Sequence, residues 1–68
     1  MIKNRIAEIR NAENITQEEL ARESSISRVA LSAIENGTIP NGNTMLNIAK
    51  ALKRKVEDVF YEENVNHT

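Results

Sequence analysis

Cysteine and tryptophan are absent from this 68-residue chain, and tyrosine, phenylalanine, proline and histidine occur once each. Without cysteine no disulfide can staple the fold, and a lone histidine, His67 beside the end, leaves no ligand set for a structural zinc. A chain this short buries only a modest share of its surface. Its core must therefore rest on efficient helix packing, on a partner subunit, or on both. The scarcity of aromatic rings argues against a protein that stacks single-stranded bases. No apolar run approaches the roughly 20 residues of a membrane span, and no signal-peptide pattern opens the chain. Together with the missing cysteines, this leads us to expect a soluble, cytoplasmic protein with no membrane partner.

A charge excess of one sign is also missing. Nine Lys and Arg stand against ten Asp and Glu, for a net charge of −1. That argues against an indiscriminate polyanion binder, but not against one whose few cations share a face, because local potential matters more than the sum. Enzyme chemistry finds no support either. There is no histidine outside the tail, no glycine-rich phosphate loop and no nucleophile elbow, and the acidic residues are scattered over helix surfaces. No enzymatic activity, cofactor, metal or small-molecule ligand is expected.

What is present is helical periodicity. Ile2, Ile6 and Ile9 recur at spacings of four and three, predicting a first helix that stops near Glu13 or Asn14. Thr16 and Glu19 form a capping box flanked by the staple pair Ile15 and Leu20, predicting a second helix from Gln17 to about Glu23. Ser24, Ser25 and Ile26 interrupt the pattern. Ser27 then caps a third helix, with Ala30, Leu31 and Ile34 as its apolar stripe and Asn36-Gly37 as its stop. After a loop shaped by Pro40, either Asn41 or Asn43 caps a fourth helix carrying Met45, Ile48, Ala49 and Leu52. A short fifth helix is expected from Val56 to Phe60, and a polar, frayed tail from Tyr61 to Thr68. No β-alternation is visible, so the fold class is all-α, with residues 1–60 forming the domain and 61–68 the tail.

Two short, separately capped helices joined by about three residues make a candidate helix-turn-helix. Leu20, Ala21, Ile26, Leu31 and Ile34 fall where the two helices must meet each other and the core. The opposite face of the third helix carries Arg28, Val29, Ser32 and Ala33, with Ser27 at its start, and these are residues that a DNA major groove can receive. Arg28 lies within reach of either a guanine edge or a phosphate, while Val29 and Ala33 suit thymine methyls.

At these positions the chain resembles the compact Cro/phage-repressor (XRE-type) helix-turn-helix domains. The matching residues are Ile15-Thr16-Gln17-Glu18-Glu19-Leu20-Ala21, Ile26-Ser27-Arg28, Ile34-Glu35-Asn36-Gly37 and Ile48-Ala49-Lys50-Ala51-Leu52. The resemblance spans roughly Ile6 to Phe60. It implies a compact five-helix lambda-repressor-like fold whose second and third helices bind DNA. It implies base contacts from Ser27, Arg28, Val29, Ser32 and Ala33, backbone contacts from Thr16, Gln17, Asn36, Thr38 and Asn41, and an internal ion pair between Arg10 and Glu35. Three departures stand out. Ser25 replaces the usual turn glycine, Gly42 occupies a leucine position so that the fourth helix is expected to start late, and Lys53-Arg54 replaces a glycine-valine pair.

The basic run Lys53-Arg54-Lys55 reads as a solvated turn. Val59, Phe60 and Tyr61 should in part close the core, with the remainder a dimer contact, joined by a short strand from Met1 and Ile2 against the segment after Phe60. The expected function is a homodimeric repressor of transcription that occupies a palindromic operator in double-stranded DNA. The alternative is an antitoxin-like module whose helix-turn-helix binds a protein.

Overall fold

A computed structural model describes residues 1–63 of the chain. In order the elements are β1 (Ile2–Asn4), α1 (Ile6–Ala12), α2 (Gln17–Glu23), α3 (Arg28–Glu35), α4 (Gly42–Ala51), α5 (Val56–Val59) and β2 (Phe60–Glu62). Three of the helices begin on a side chain that accepts from an otherwise orphaned backbone amide. The Thr16 hydroxyl accepts from Glu19 N at 3.0 Å, and the Glu19 carboxylate accepts in return from Thr16 N at 3.0 Å. Ser27 Oγ accepts from Ala30 N at 3.0 Å, and Asn41 Oδ1 accepts from Thr44 N at 2.8 Å. Because Asn41 supplies the cap, α4 starts at Gly42 and not late. A Cβ at Gly42 would meet nothing within 4 Å, and the first turn of α4 forms on the Asn41 cap without a side chain there.

The first four helices end alike. After each, a residue with positive φ turns the chain: Asn14 at 59°, Ser25 at 62°, Gly37 at 124° and Lys53 at 58°. The amide of the next residue then bonds back to a carbonyl in the last turn, as Ile15 N to Arg10 O (2.9 Å), Ile26 N to Ala21 O (3.0 Å), Thr38 N to Ala33 O (2.9 Å) and Arg54 N to Ala49 O (3.0 Å). This satisfies carbonyls that a helix end otherwise leaves open. Ser25 and Lys53 thus adopt the left-handed conformation that glycine takes freely, at a cost of about 1–2 kcal/mol for each side chain.

Eleven residues form the buried core: Ile6, Ile9, Leu20, Ala21, Leu31, Ile34, Ile48, Ala49, Leu52, Val59 and Phe60, with Ile15 and Ile26 packed against it. The two isoleucines precede the caps Thr16 and Ser27, where staples belong. Helix α2 packs against both α3 and α4. The architecture is the expected all-α, five-helix domain with one minor addition, an antiparallel ribbon in which Ile2, Lys3 and Asn4 pair with Glu62, Tyr61 and Phe60. The ribbon is the short strand expected of Met1 and Ile2 against the segment after Phe60, formed here within one chain from Ile2 to Asn4, and it corrects both ends of the helical reading. Ile2 lies in a strand and not in the first helix, α5 stops at Val59, and Tyr61 and Glu62 are paired strand and not frayed tail. The physical reason is mutual: each segment supplies the backbone partners of the other, and buried Phe60 anchors the pair. The Arg5 guanidinium stacks over the Tyr61 ring at 4.2 Å. His67 and the rest of the tail lie outside the described residues. Among those described, no helix is long and apolar enough to cross a membrane.

A polar cluster joins three helices. Arg10 Nε donates to Glu35 Oε2 at 2.9 Å and Arg10 Nη2 to Glu35 Oε1 at 3.3 Å, a bidentate pair whose side chains are 13% and 9% exposed. Arg10 Nη1 also donates to the Ile15 carbonyl at 3.0 Å, and Gln17 Nε2 donates to Glu35 Oε1 at 2.9 Å.

Three outcomes are expected from these features. Ser25→Gly should stabilise the domain by up to about 1 kcal/mol, raising the melting temperature by roughly 4–8 °C for a domain of this size; an unchanged or lower melt would contradict the strain assigned to Ser25. Glu35→Ala should destabilise more than Glu35→Ala combined with Arg10→Met, because the single change strands a shielded guanidinium. Thermal melts in which the double variant is the weaker would count against that account. The third concerns Glu19, whose carboxyl is held below its ordinary value of 4.5, chiefly by the Thr16 backbone amide and then by the Thr16 hydroxyl. A depressed folded value contributes stability above the unfolded pKa and loses it as pH falls through the folded one. The stability gap between wild type and Glu19→Gln, measured by melting across a pH series, should therefore close as pH falls below 4.5. A gap independent of pH would refute it.

Candidate nucleic-acid interface

Helix α3 presents two different faces because its apolar residues recur on one side only. Leu31 is fully buried and Ile34 is 5% exposed, which seats the inner face in the core. Arg28, Val29, Ser32 and Ala33, spaced one, four and five positions along a 3.6-residue turn, share the opposite stripe. Arg28 is exposed, Val29 is 71% exposed, and Ser32 and Ala33 are half-buried. Arg28 enters no ion pair among the described residues, in contrast with Arg10 and Arg54, which face Glu35 and Glu13. An unpaired guanidinium beside an exposed valine, on a helix fixed at its start by Ser27, is a surface suited to a partner with both acceptors and apolar edges.

The remaining expected contact residues fall into distinct situations. Ser27 is exposed, and its oxygen accepts from the Ala30 amide, which leaves its hydroxyl proton to donate outward. Thr16 is also exposed, but its hydroxyl donates to Glu19 Oε1 at 3.2 Å, so a phosphate there has to compete with a carboxylate. Gln17 is half-buried with its amide held by Glu35, leaving its second N–H uncommitted. Asn36 and Thr38 are exposed just beyond α3, and Asn41, exposed at the start of α4, caps with Oδ1 and keeps its Nδ2 donors. Stripe, turn and loop therefore form a continuous run of chain from Ser27 to Asn41.

The proposed dimer residues do not stay together. Val59 is completely buried and Phe60 is 6% exposed, so their side chains close the core of this chain and offer almost nothing to a second one. Only Tyr61 keeps part of its ring accessible, beside an apolar groove that it lines with Ile2, Met45, Val56 and Phe60. Two residues near the interface escaped the sequence reading. Ile39 is 54% exposed in the loop between Thr38 and Pro40, where its apolar character was itself the signal. Asn4 bonds to the end of α3 from a strand 30 residues away, and no local pattern announces it. Among the described residues, no group of three histidine, cysteine or acidic side chains is placed to hold a metal ion.

Comparison with known proteins bears on the same span. Residues 6–59, from the first residue of α1 to the last of α5, match the family model described as Helix-turn-helix. A protein of Bacillus subtilis (strain 168), described as the uncharacterized HTH-type transcriptional regulator YgzD, is 36% identical over 66 residues, covering 96% of this chain and 100% of its own length. An uncharacterized HTH-type transcriptional regulator of Methanocaldococcus jannaschii is 38% identical over 64 residues, covering 93% of this chain and 97% of its own. With its two capped helices packed through Leu20, Ala21 and Leu31, the chain belongs to the helix-turn-helix family, in its Cro/repressor or XRE type.

Proposed function

We propose that this protein is a sequence-specific regulator of transcription that binds double-stranded DNA, acting as a repressor by occupying a palindromic operator as a homodimer. The observation that carries the reading is the outward stripe of α3, where Arg28 and Val29 stand exposed on a helix whose opposite side is locked into the core. The names of the two relatives, both HTH-type transcriptional regulators, support it. In this reading α3 enters the major groove N-terminus first. Arg28 donates to the two acceptors of a guanine, Val29 and Ala33 pack on thymine methyls, and Ser27 and Ser32 reach neighbouring edges. Gln17, Asn36, Thr38 and Asn41 hold the backbone, with Thr16 the weakest of the set because Glu19 occupies it. The net charge of −1 does not oppose this reading, because local potential at the interface matters more than the sum. One recognition helix covers only a few base pairs, so two copies reading half-sites about 34 Å apart extend the site. Tyr61 and the groove beside it supply the contact between copies.

Selection from a random duplex library is the direct test. The protein should enrich one palindromic sequence, bind it with two chains per duplex, and lose affinity with a log–log salt slope of about −0.9 for each phosphate contacted. Arg28→Ala should relax the preference at one base position and cost about 1–3 kcal/mol on the selected duplex. An equal loss on every sequence would reassign Arg28 to a phosphate. Failure to enrich any duplex even at low salt would transfer the same surface to a protein partner, as in the antitoxin-like alternative.

A further inference from the structure

We infer that Asn4 is a positioning residue for the reading helix, its side-chain amide clamping the last turn of α3 to the ribbon and to the start of α1. The inference rests on the DNA-binding reading only for what α3 is positioned to do. The clamp itself is a matter of geometry. Asn4 Nδ2 donates to the Ile34 carbonyl at 3.0 Å, and Asn4 Oδ1 accepts from the Ile6 amide at 3.1 Å. A carbonyl on one side and an N–H on the other fix which way the amide faces. Because the amide is planar, its donor and acceptor cannot move independently. The end of α3 and the beginning of α1 are thereby held at one separation.

The backbone of Asn4 is fixed as well. It sits opposite Phe60 in the ribbon, and the next amide, Arg5 N, donates to the Val59 carbonyl at 2.8 Å. The Ile34 carbonyl also accepts from Gly37 N at 3.0 Å, so Asn4 takes the second lone pair of an acceptor already engaged in ending the helix. Beyond Glu35 lie Asn36 and, after Gly37, Thr38, both expected to meet the DNA backbone. Ser27 fixes α3 where it begins, and Asn4 fixes it where it ends. Half-burial shields the clamp in part from water, which strengthens its bonds relative to exposed ones. Aspartate at position 4 retains the acceptor for Ile6 but turns a carboxylate oxygen toward the Ile34 carbonyl, so the clamp fails on the α3 side alone.

The experiment compares Asn4→Asp and Asn4→Ala with Ile48→Val, which loosens the core without touching the clamp. Amide hydrogen exchange of the intact chain should show Gly37 and Thr38 exchanging about tenfold faster in either Asn4 variant, with the interior of α4 far less affected. In Ile48→Val the buried amides should accelerate together. On the duplex selected by the wild type, at a temperature where all variants are folded, the Asn4 variants should lose about tenfold in the ratio of specific to non-specific affinity, while Ile48→Val keeps that ratio. Exchange at Gly37 and Thr38 no faster than in Ile48→Val overturns the clamp. Altered exchange with an unchanged affinity ratio overturns the positioning role. If the wild type selects no duplex, the DNA-binding reading fails by itself, and the exchange comparison still decides whether Asn4 holds α3. Should Asn4→Asp not fold, Asn4→Ala carries both measurements.

Discussion

The Glu35 carboxylate is the point on which the geometry of the reading unit depends. It receives Arg10 from α1 and Gln17 from the first turn of α2, while standing itself at the last residue of α3. Hydrophobic contacts between Leu20, Leu31 and their neighbours are non-directional and set only how close the helices lie. The bidentate pair adds direction, since the guanidinium fork accepts a carboxylate in few orientations. Its net contribution to stability is small, because removing two charges from water offsets most of their attraction. What the pair adds is geometry: rotating α3 about its axis would pull Glu35 away from Arg10 and leave a shielded charge unmatched.

That constraint sits beside a costly piece of chain. The connection between α2 and α3 contains Ser24, 1% exposed with a hydroxyl that finds no partner among the described residues, and then Ser25 in a left-handed conformation. The left-handed turn at Ser25 is unfavourable locally. The same connection recurs after α1 and α4 with Asn14 and Lys53, and only after α3 is the residue glycine. The domain thus uses one helix-ending geometry four times, with glycine at one turn and asparagine, which tolerates the left-handed conformation, at another. At the two strained turns the support is tertiary: Ile26 packs on the core immediately beyond Ser25, and Arg54 reaches Glu13 beyond Lys53.

Features written in neighbouring residues were legible beforehand, and those written across the chain were not. Thr16, Ser27 and Asn41 cap helices from within three residues, so their roles follow from spacing. The exposed stripe of α3 followed from the same arithmetic that identified its buried one. The ribbon was legible at its outer end, as a strand from Ile2 against the segment after Phe60, while its reach to Asn4 and Phe60 was hidden, because strands of three residues are too short to alternate and Ile2 stands one helical turn before Ile6. Gly42 misled for a different reason, since the cap before it, and not its own side chain, decides where α4 begins. Arg10 and Glu35, 25 residues apart, were paired only through family resemblance, and nothing local couples Asn4 to Ile34. That part of the Val59–Phe60–Tyr61 cluster closes the core was legible, but which of the three does so emerged only from the fold, where Val59 and Phe60 fill the interior.

The ribbon joins the two most distant parts of the described chain, with Glu63 N donating to the Met1 carbonyl at 2.9 Å. Closing a loop of that size costs more chain entropy than any helix-to-helix contact, and three paired residues return little for it until Phe60 has a core to enter. Phe60 is at once a strand residue and a core residue, so the joined ends and the interior stand or fall as one unit.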